Sequence, residues 1–271
     1  MHNKTPKKAI LIASFGTSLQ SGQRAIDNLV NKVKSEYSNY DIKITYTSNI
    51  IRKKLKKEHN IIIDTPLQAL ANMQDENYTH VYVMPMHIIP GEEYEDLKSV
   101  ISSFTNIKGK YSFELLRIGR PFLFNIPSCD EMANILIRRF EKEISENKTI
   151  VLMGHGTPRH ISHALYSQLQ ISLTKKAPGK FVIGTVEGAP LIEDVISKLK
   201  HIKAKEIVLS PFMIVAGDHA TNDLADKENP ESWYSQISEA GFRNINTRLE
   251  GLGEDIEIAT LFASNIKELL N

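Results

Sequence analysis

Short apolar runs alternate with stretches of helical spacing from one end of the chain to the other. The first run, residues 9–14, shows no period-two polarity, which marks a parallel strand covered on both faces. Apolar positions recur at helical spacing over 23–37, and a β-rich segment follows at 42–47. Thr65-Pro66 opens a helix running to 73, with threonine at the cap and proline in the first turn. Residues 81–86 and 112–118 read as the third and fourth strands, and 130–144 as one long amphipathic helix. The same order then returns. A strand ends in Gly154-His155-Gly156-Thr157, and strands at 181–185, 207–213 and 244–249 follow, separated by helices, with a final helix after the last.

The return is also visible in the residues themselves. Ser14-Phe15-Gly16-Thr17-Ser18 answers Gly154-His155-Gly156-Thr157-Pro158. Met84-Pro85-Met86-His87-Ile88-Ile89 answers Ser210-Pro211-Phe212-Met213-Ile214-Val215, and Gly91 matches Gly217 at that same spacing. The pattern predicts an α/β protein of two similar doubly wound domains, each a four-stranded parallel sheet flanked by helices, with right-handed crossovers. The expected domains are 1–127 and 128–271, joined near 119–128, with the last helix free to pack back on the first domain. A cleft between two such domains is a common place for a ligand.

Composition narrows the function classes. The chain has 271 residues, 41% hydrophobic, and a formal net charge of +1, so no global field favours nucleic acid or an anionic membrane. Arg52, Lys53, Lys54, Lys56 and Lys57 form a local basic run, read first as a solvated helix face and second as a patch for an acidic substrate. Cys129 is the single cysteine, which excludes an internal disulfide and a thiolate-based zinc site. No apolar stretch approaches the roughly 20 residues that span a bilayer. The polar segment 1–8 runs straight into a strand without a signal-peptide pattern, so a cytoplasmic setting is expected, with no nucleic-acid or membrane partner. Homo-oligomerisation stays open.

Open α/β sheets bind ligands beyond the carboxyl ends of their strands. Three strand ends of the second half carry suitable groups: His155, Glu187 in Thr185-Val186-Glu187-Gly188, and His219 in Gly217-Asp218-His219-Ala220. Imidazole titrates near neutrality and ligates metals, so two histidines and a glutamate at successive strand ends suggest a site for a divalent cation such as Co²⁺, Fe²⁺, Ni²⁺ or Zn²⁺. Plainer readings compete. His155 could be a structural histidine, Glu187 a helix N-terminal charge worth about 0.3–1 kcal/mol, and His219 a loop residue beside the polar Asp218, Asn222 and Asp223. A phosphohistidine nucleophile loses, because that chemistry wants an arginine just before the histidine and Gly154 stands there. In the first half Phe15 takes the place of His155 and Glu93 that of His219, an arrangement that suits a flat apolar ligand. Glu93, crowded by His87, Glu92 and Glu95, belongs either to the site or to a solvated helix start.

In order and spacing these strings resemble the class II chelatases, and in particular the anaerobic sirohydrochlorin cobaltochelatase (CbiK) family of cobalamin biosynthesis. The resemblance spans nearly the whole chain. It rests on Ile10-Leu11-Ile12-Ala13-Ser14-Phe15-Gly16-Thr17-Ser18, on Met84-Pro85-Met86-His87-Ile88-Ile89-Pro90-Gly91-Glu92-Glu93 and on Gly154-His155-Gly156-Thr157. Thr185-Val186-Glu187-Gly188 and Pro211-Phe212-Met213-Ile214-Val215-Ala216-Gly217-Asp218-His219-Ala220 complete it. The resemblance implies a chelatase-like fold with the tetrapyrrole between two α/β domains. It implies His155, Glu187 and His219 as Co²⁺ ligands, and His155 with Glu187 as the groups that take the pyrrole protons. The implied substrates are sirohydrochlorin, or a related tetrapyrrole, and Co²⁺, with Fe²⁺, Ni²⁺ or Zn²⁺ as substitutes in vitro and no organic cofactor. Phe15 and Met86 are candidates for an apolar wall facing the ring, and Glu93 for a further substrate contact. Arg52, Arg120 and Arg159 are candidate partners for substrate carboxylates. Three alternatives stand beside this reading: an iron chelatase supplying sirohaem, a tetrapyrrole or haem-binding carrier without turnover, and a two-domain small-molecule binder whose histidines are incidental.

Overall fold

The computed structural model describes residues 6–217 and 219–270. The first sheet is built from β1 (Lys8–Ser14), β2 (Asp41–Tyr46), β3 (His80–Pro85) and β4 (Leu115–Ile118), all parallel, in the order β2-β1-β3-β4. Helices α1 (Gln20–Glu36), α2 (Asn49–His59), α3 (Pro66–Asp75) and α4 (Glu92–Thr105) lie between these strands in the chain. The second sheet repeats the plan with β5 (Thr149–Gly156), β6 (Phe181–Glu187), β7 (Glu206–Pro211) and β8 (Asn244–Thr247), in the order β6-β5-β7-β8. Its helices are α5 (Ile126–Arg139), α6 (Glu141–Ser145), α7 (Ala164–Lys176), α8 (Ile192–His201) and α9 (Trp233–Glu239), and α10 (Ile256–Leu270) closes the chain.

Residues 9–14 are all buried, as a strand covered on both faces requires. The internal repeat reaches down to single hydrogen bonds. Ala13 pairs with Pro85 in the first sheet and Met153 with Pro211 in the second. In both sheets the next amide closes the ladder, Met86 N–H to Ala13 at 2.8 Å and Phe212 N–H to Met153 at 2.7 Å. Helix α3 starts where its capping signal lies. The Gln68 N–H donates to the Thr65 hydroxyl at 3.1 Å, and the Thr65 N–H donates to Gln68 Oε1, also at 3.1 Å. The basic run falls on α2, where Leu55 is buried and Lys53, Lys56 and Lys57 are exposed, so most of it is a solvated helix face.

By contacts the chain divides into two units, residues 1–122 with 258–271, and residues 123–257. The segment expected to be a linker is partly helical. Helix α5 begins at Ile126 under a capping box in which the Ser128 N–H donates to Asn125 Oδ1 at 3.0 Å and the Asn125 N–H to Ser128 Oγ at 3.0 Å. The single helix expected over 130–144 is two, because buried Phe140 leaves helical geometry (φ −110°, ψ 22°) between α5 and α6. Residues of α10 are held within the first unit. Phe262 stacks on Phe122 at 5.7 Å, the Tyr37 hydroxyl donates to the Ala263 carbonyl at 2.7 Å, and Arg120 grips both oxygens of Glu268 at 3.0 and 3.1 Å. No helix among the described residues is long and apolar enough to cross a membrane.

Candidate metal centre

In the second unit the chain leaves central β5, forms β6 on one side and returns to form β7 on the other. Loops from β5 and β7 therefore diverge at their carboxyl ends, the place where such sheets take ligands. His155 lies one residue before the end of β5, and Glu187 ends β6 with its backbone in register with Gly156. The glycines around His155 allow close approach. Gly156 sits at φ +90°, and a Cβ there would collide with the Glu187 carbonyl. A Cβ on Gly154 would come within 2.5 Å of the Tyr166 ring.

His219 opens a π-helical turn, His219–Leu224, anchored by buried Ala220 and Leu224 and by the Ala220 N–H donating to Gly217 at 2.9 Å. That turn brings the His219 ring edge-on to His155, with centroids 5.2 Å apart and planes at 80°. Each imidazole is oriented through Nδ1. His155 Nδ1–H donates to the Gly156 carbonyl at 3.1 Å, and His219 Nδ1–H donates to Asp223 Oδ2 at 2.5 Å. The unshared pair of each ring is then on Nε2, the nitrogen open to a cation. His155 and Glu187 are exposed, and the His219 side chain keeps 44% of its surface accessible. Among the described residues no three His, Cys, Asp or Glu side chains are already gathered for a metal. The structure thus brings His155 and His219 together and sets Glu187 at the neighbouring strand end. Asp218, expected in this polar cluster, lies outside the described residues.

Two residues of this region have no mark in the sequence. Tyr166 is buried under the loop, accepts the Gly156 N–H at 3.4 Å, and has its hydroxyl pushed up to about 12 by burial, so it stays protonated. His163 accepts the Thr157 N–H at Nδ1 (3.1 Å) and donates from Nε2 to the Ala189 carbonyl. The one available signal is their spacing, three residues apart where α7 begins, directly after the glycine-rich loop.

In the first unit Phe15 stands at the end of β1 and is 51% exposed, beside Gly16 at φ +94°, the counterpart of Gly156. Met86 is 4% exposed and packs in the interior, so it presents little surface to a ring. Glu93 is exposed in the first turn of α4, whose neighbour Glu95 pairs with Lys98 at 3.1 Å. His87 is half-buried, but both ring nitrogens are shut from solvent without a hydrogen-bond partner, and burial pulls its pKa down to about 4. Arg52 is committed to the Ile63 carbonyl, Asn49 and Gln68, and Arg120 to Glu268, whereas Arg159 is exposed with no polar partner among the described residues.

The family model described as Cobalt chelatase (CbiK) matches residues 8–271. The chain belongs to the cobalt chelatase (CbiK) family. It is 31% identical over 267 residues to the sirohydrochlorin cobaltochelatase of Salmonella typhimurium, covering 98% of this chain and 97% of that one. It is also 31% identical over 244 residues to the sirohydrochlorin cobaltochelatase CbiKC of Nitratidesulfovibrio vulgaris, covering 90% and 84%. The fold matches SirB from Bacillus subtilis with Fe³⁺ at a TM-score of 0.63 and 17% identity, covering 97% of this chain and 95% of that one. It also matches CbiX, the terminal enzyme for biosynthesis of sirohaem in denitrifying bacteria, at 0.58 and 16%, covering 97% and 100%. For a CbiK chelatase the metal is a substrate, so its site has to bind and then let go. A donor set of imidazoles and a carboxylate, without thiolates, suits that demand.

Proposed function

We propose that this chain is a sirohydrochlorin cobaltochelatase, inserting Co²⁺ into sirohydrochlorin with release of two protons, in the early-cobalt, anaerobic route to cobalamin. The observation that carries the reading is the edge-on pair His155 and His219, each held through Nδ1 with Nε2 free, at the switch point of a CbiK-family sheet. Both curated relatives at 31% identity bear that activity in their names.

Insertion exchanges two pyrrole N–H protons for one divalent ion. The ion must first lose part of its water shell, and His155, His219 and Glu187 are the proposed ligands that replace it while leaving other positions open. A base must also stand beside the macrocycle. Once the ion has passed to the ring nitrogens, Nε2 of His155 is freed and accepts one proton, and the exposed Glu187 carboxylate accepts or passes on the second. Phe15 is a proposed apolar contact for the ring, Glu93 a further substrate contact, and exposed Arg159 a proposed partner for a peripheral carboxylate.

The test is anaerobic absorbance spectroscopy of the purified protein with sirohydrochlorin and either Co²⁺ or Fe²⁺. The reading predicts conversion to the cobalt complex faster than the protein-free rate. Faster conversion with Fe²⁺ alone would give the iron chelatase instead. A shifted spectrum with no acceleration by either ion would leave a tetrapyrrole carrier.

A further inference from the structure

We propose that His163 is a positioning residue for cation capture, fixing the strand end that carries His155 against the one that carries Glu187. The inference rests on the reading of His155 and Glu187 as cation ligands.

The His163 ring spans two loops. Thr157, two residues beyond His155, donates its N–H to Nδ1 at 3.1 Å, and Nε2–H donates to the carbonyl of Ala189, two residues beyond Glu187. One imidazole thus accepts from the first loop and donates to the second, using both nitrogens. With neither nitrogen free, His163 is not itself a ligand, although it lies in a histidine-rich region. The surrounding geometry holds the ring in place. Gly188 sits at φ +83°, and a Cβ there would come within 2.9 Å of the His163 ring, so the imidazole packs directly on the backbone after Glu187. The Tyr166 ring lies 5.5 Å away, and its hydroxyl receives the N–H of Gly156. Thr185 closes the Glu187 loop on itself, its hydroxyl donating to the Gly188 carbonyl at 2.5 Å and its N–H to the Pro190 carbonyl at 2.8 Å. Each loop is therefore stiff within itself, and His163 ties the two together.

Loss of the tie relaxes the spacing of two ligands without removing either. Cation affinity then falls while tetrapyrrole affinity holds. The test titrates the full-length protein with Co²⁺ alone under anaerobic conditions, following its visible absorption, and measures KM for each substrate. His163→Ala is expected to weaken Co²⁺ binding about 10–100-fold, the usual range for groups that orient metal ligands, with KM for sirohydrochlorin unchanged. His163→Gln, whose amide oxygen accepts and amide nitrogen donates, is expected to recover most of that loss. His163→Asn, polar but too short to span both loops, should not; the Gln and Asn pair carries the test if the alanine variant does not fold. Wild-type Co²⁺ affinity in His163→Ala, or Gln no better than Asn, overturns the proposal. His155→Ala serves as the control: if that variant keeps Co²⁺ affinity, the ligand reading itself fails, separately from the role of His163.

Discussion

At the scale of single residues, a histidine becomes a useful ligand when its other nitrogen is committed. Asp223 does this for His219, fixing the tautomer and aiming Nε2 outward. Asp223→Ala is expected to weaken Co²⁺ binding about 10–100-fold in a direct titration. Asp223→Asn, which still accepts from Nδ1–H, should lose less. His87 illustrates the opposite environment. Burial holds its folded pKa at about 4 against an ordinary 6.5, so the unfolded chain takes up a proton that the folded chain refuses. Stability is therefore full above pH 6.5 and falls as pH drops towards 4, by about 3 kcal/mol in total. Denaturant unfolding across that window should show the slope, and His87→Leu should flatten it. The places of His155 and Glu187 at strand ends, and of His219 in the loop after β7, were legible in the sequence because polar residues stand out after apolar runs. His163 and Tyr166 were not, because they act on backbone amides that the fold alone brings near.

At the scale of elements, glycines with positive φ stand at or just beyond the ends of β1, β5 and β6. Gly156→Ala would force a Cβ at φ +90° into the Glu187 carbonyl, separating β5 from β6 where His155 and Glu187 stand. A lowered melting temperature and lost insertion are expected together. Gly217→Ala, with open space around its Cβ, should leave the melting temperature within a degree or so, since the added methyl meets no neighbour. Buried parallel strands were readable because a run covered on both faces has no polar positions. The start of α5 was harder: Asn125, Pro127 and Ser128 look like linker composition, yet together they make a helix cap. The break at Phe140 was hidden because a large apolar residue continues the helical pattern while its backbone leaves it.

At the scale of the whole molecule, one doubly wound unit occurs twice, with His155 and His219 in the second copy and Phe15 and Glu93 at the matching places in the first. The repeat was legible from Pro85 and Pro211, which end equivalent strands. What the periodicity left open was the place of the last helix, settled by contacts such as the stack of Phe262 on Phe122. Phe262→Ala should cost about 3–5 kcal/mol, and hydrogen exchange should place the lost protection in β1 and β3 rather than β5 and β7. The central claim is that the second copy captures a cation and takes protons from a tetrapyrrole. Its most direct test is His155→Ala under anaerobic conditions, with sirohydrochlorin binding and Co²⁺ insertion measured on the same preparation. The account predicts that binding persists while insertion falls to the protein-free rate. Insertion at the wild-type rate in that variant would contradict it.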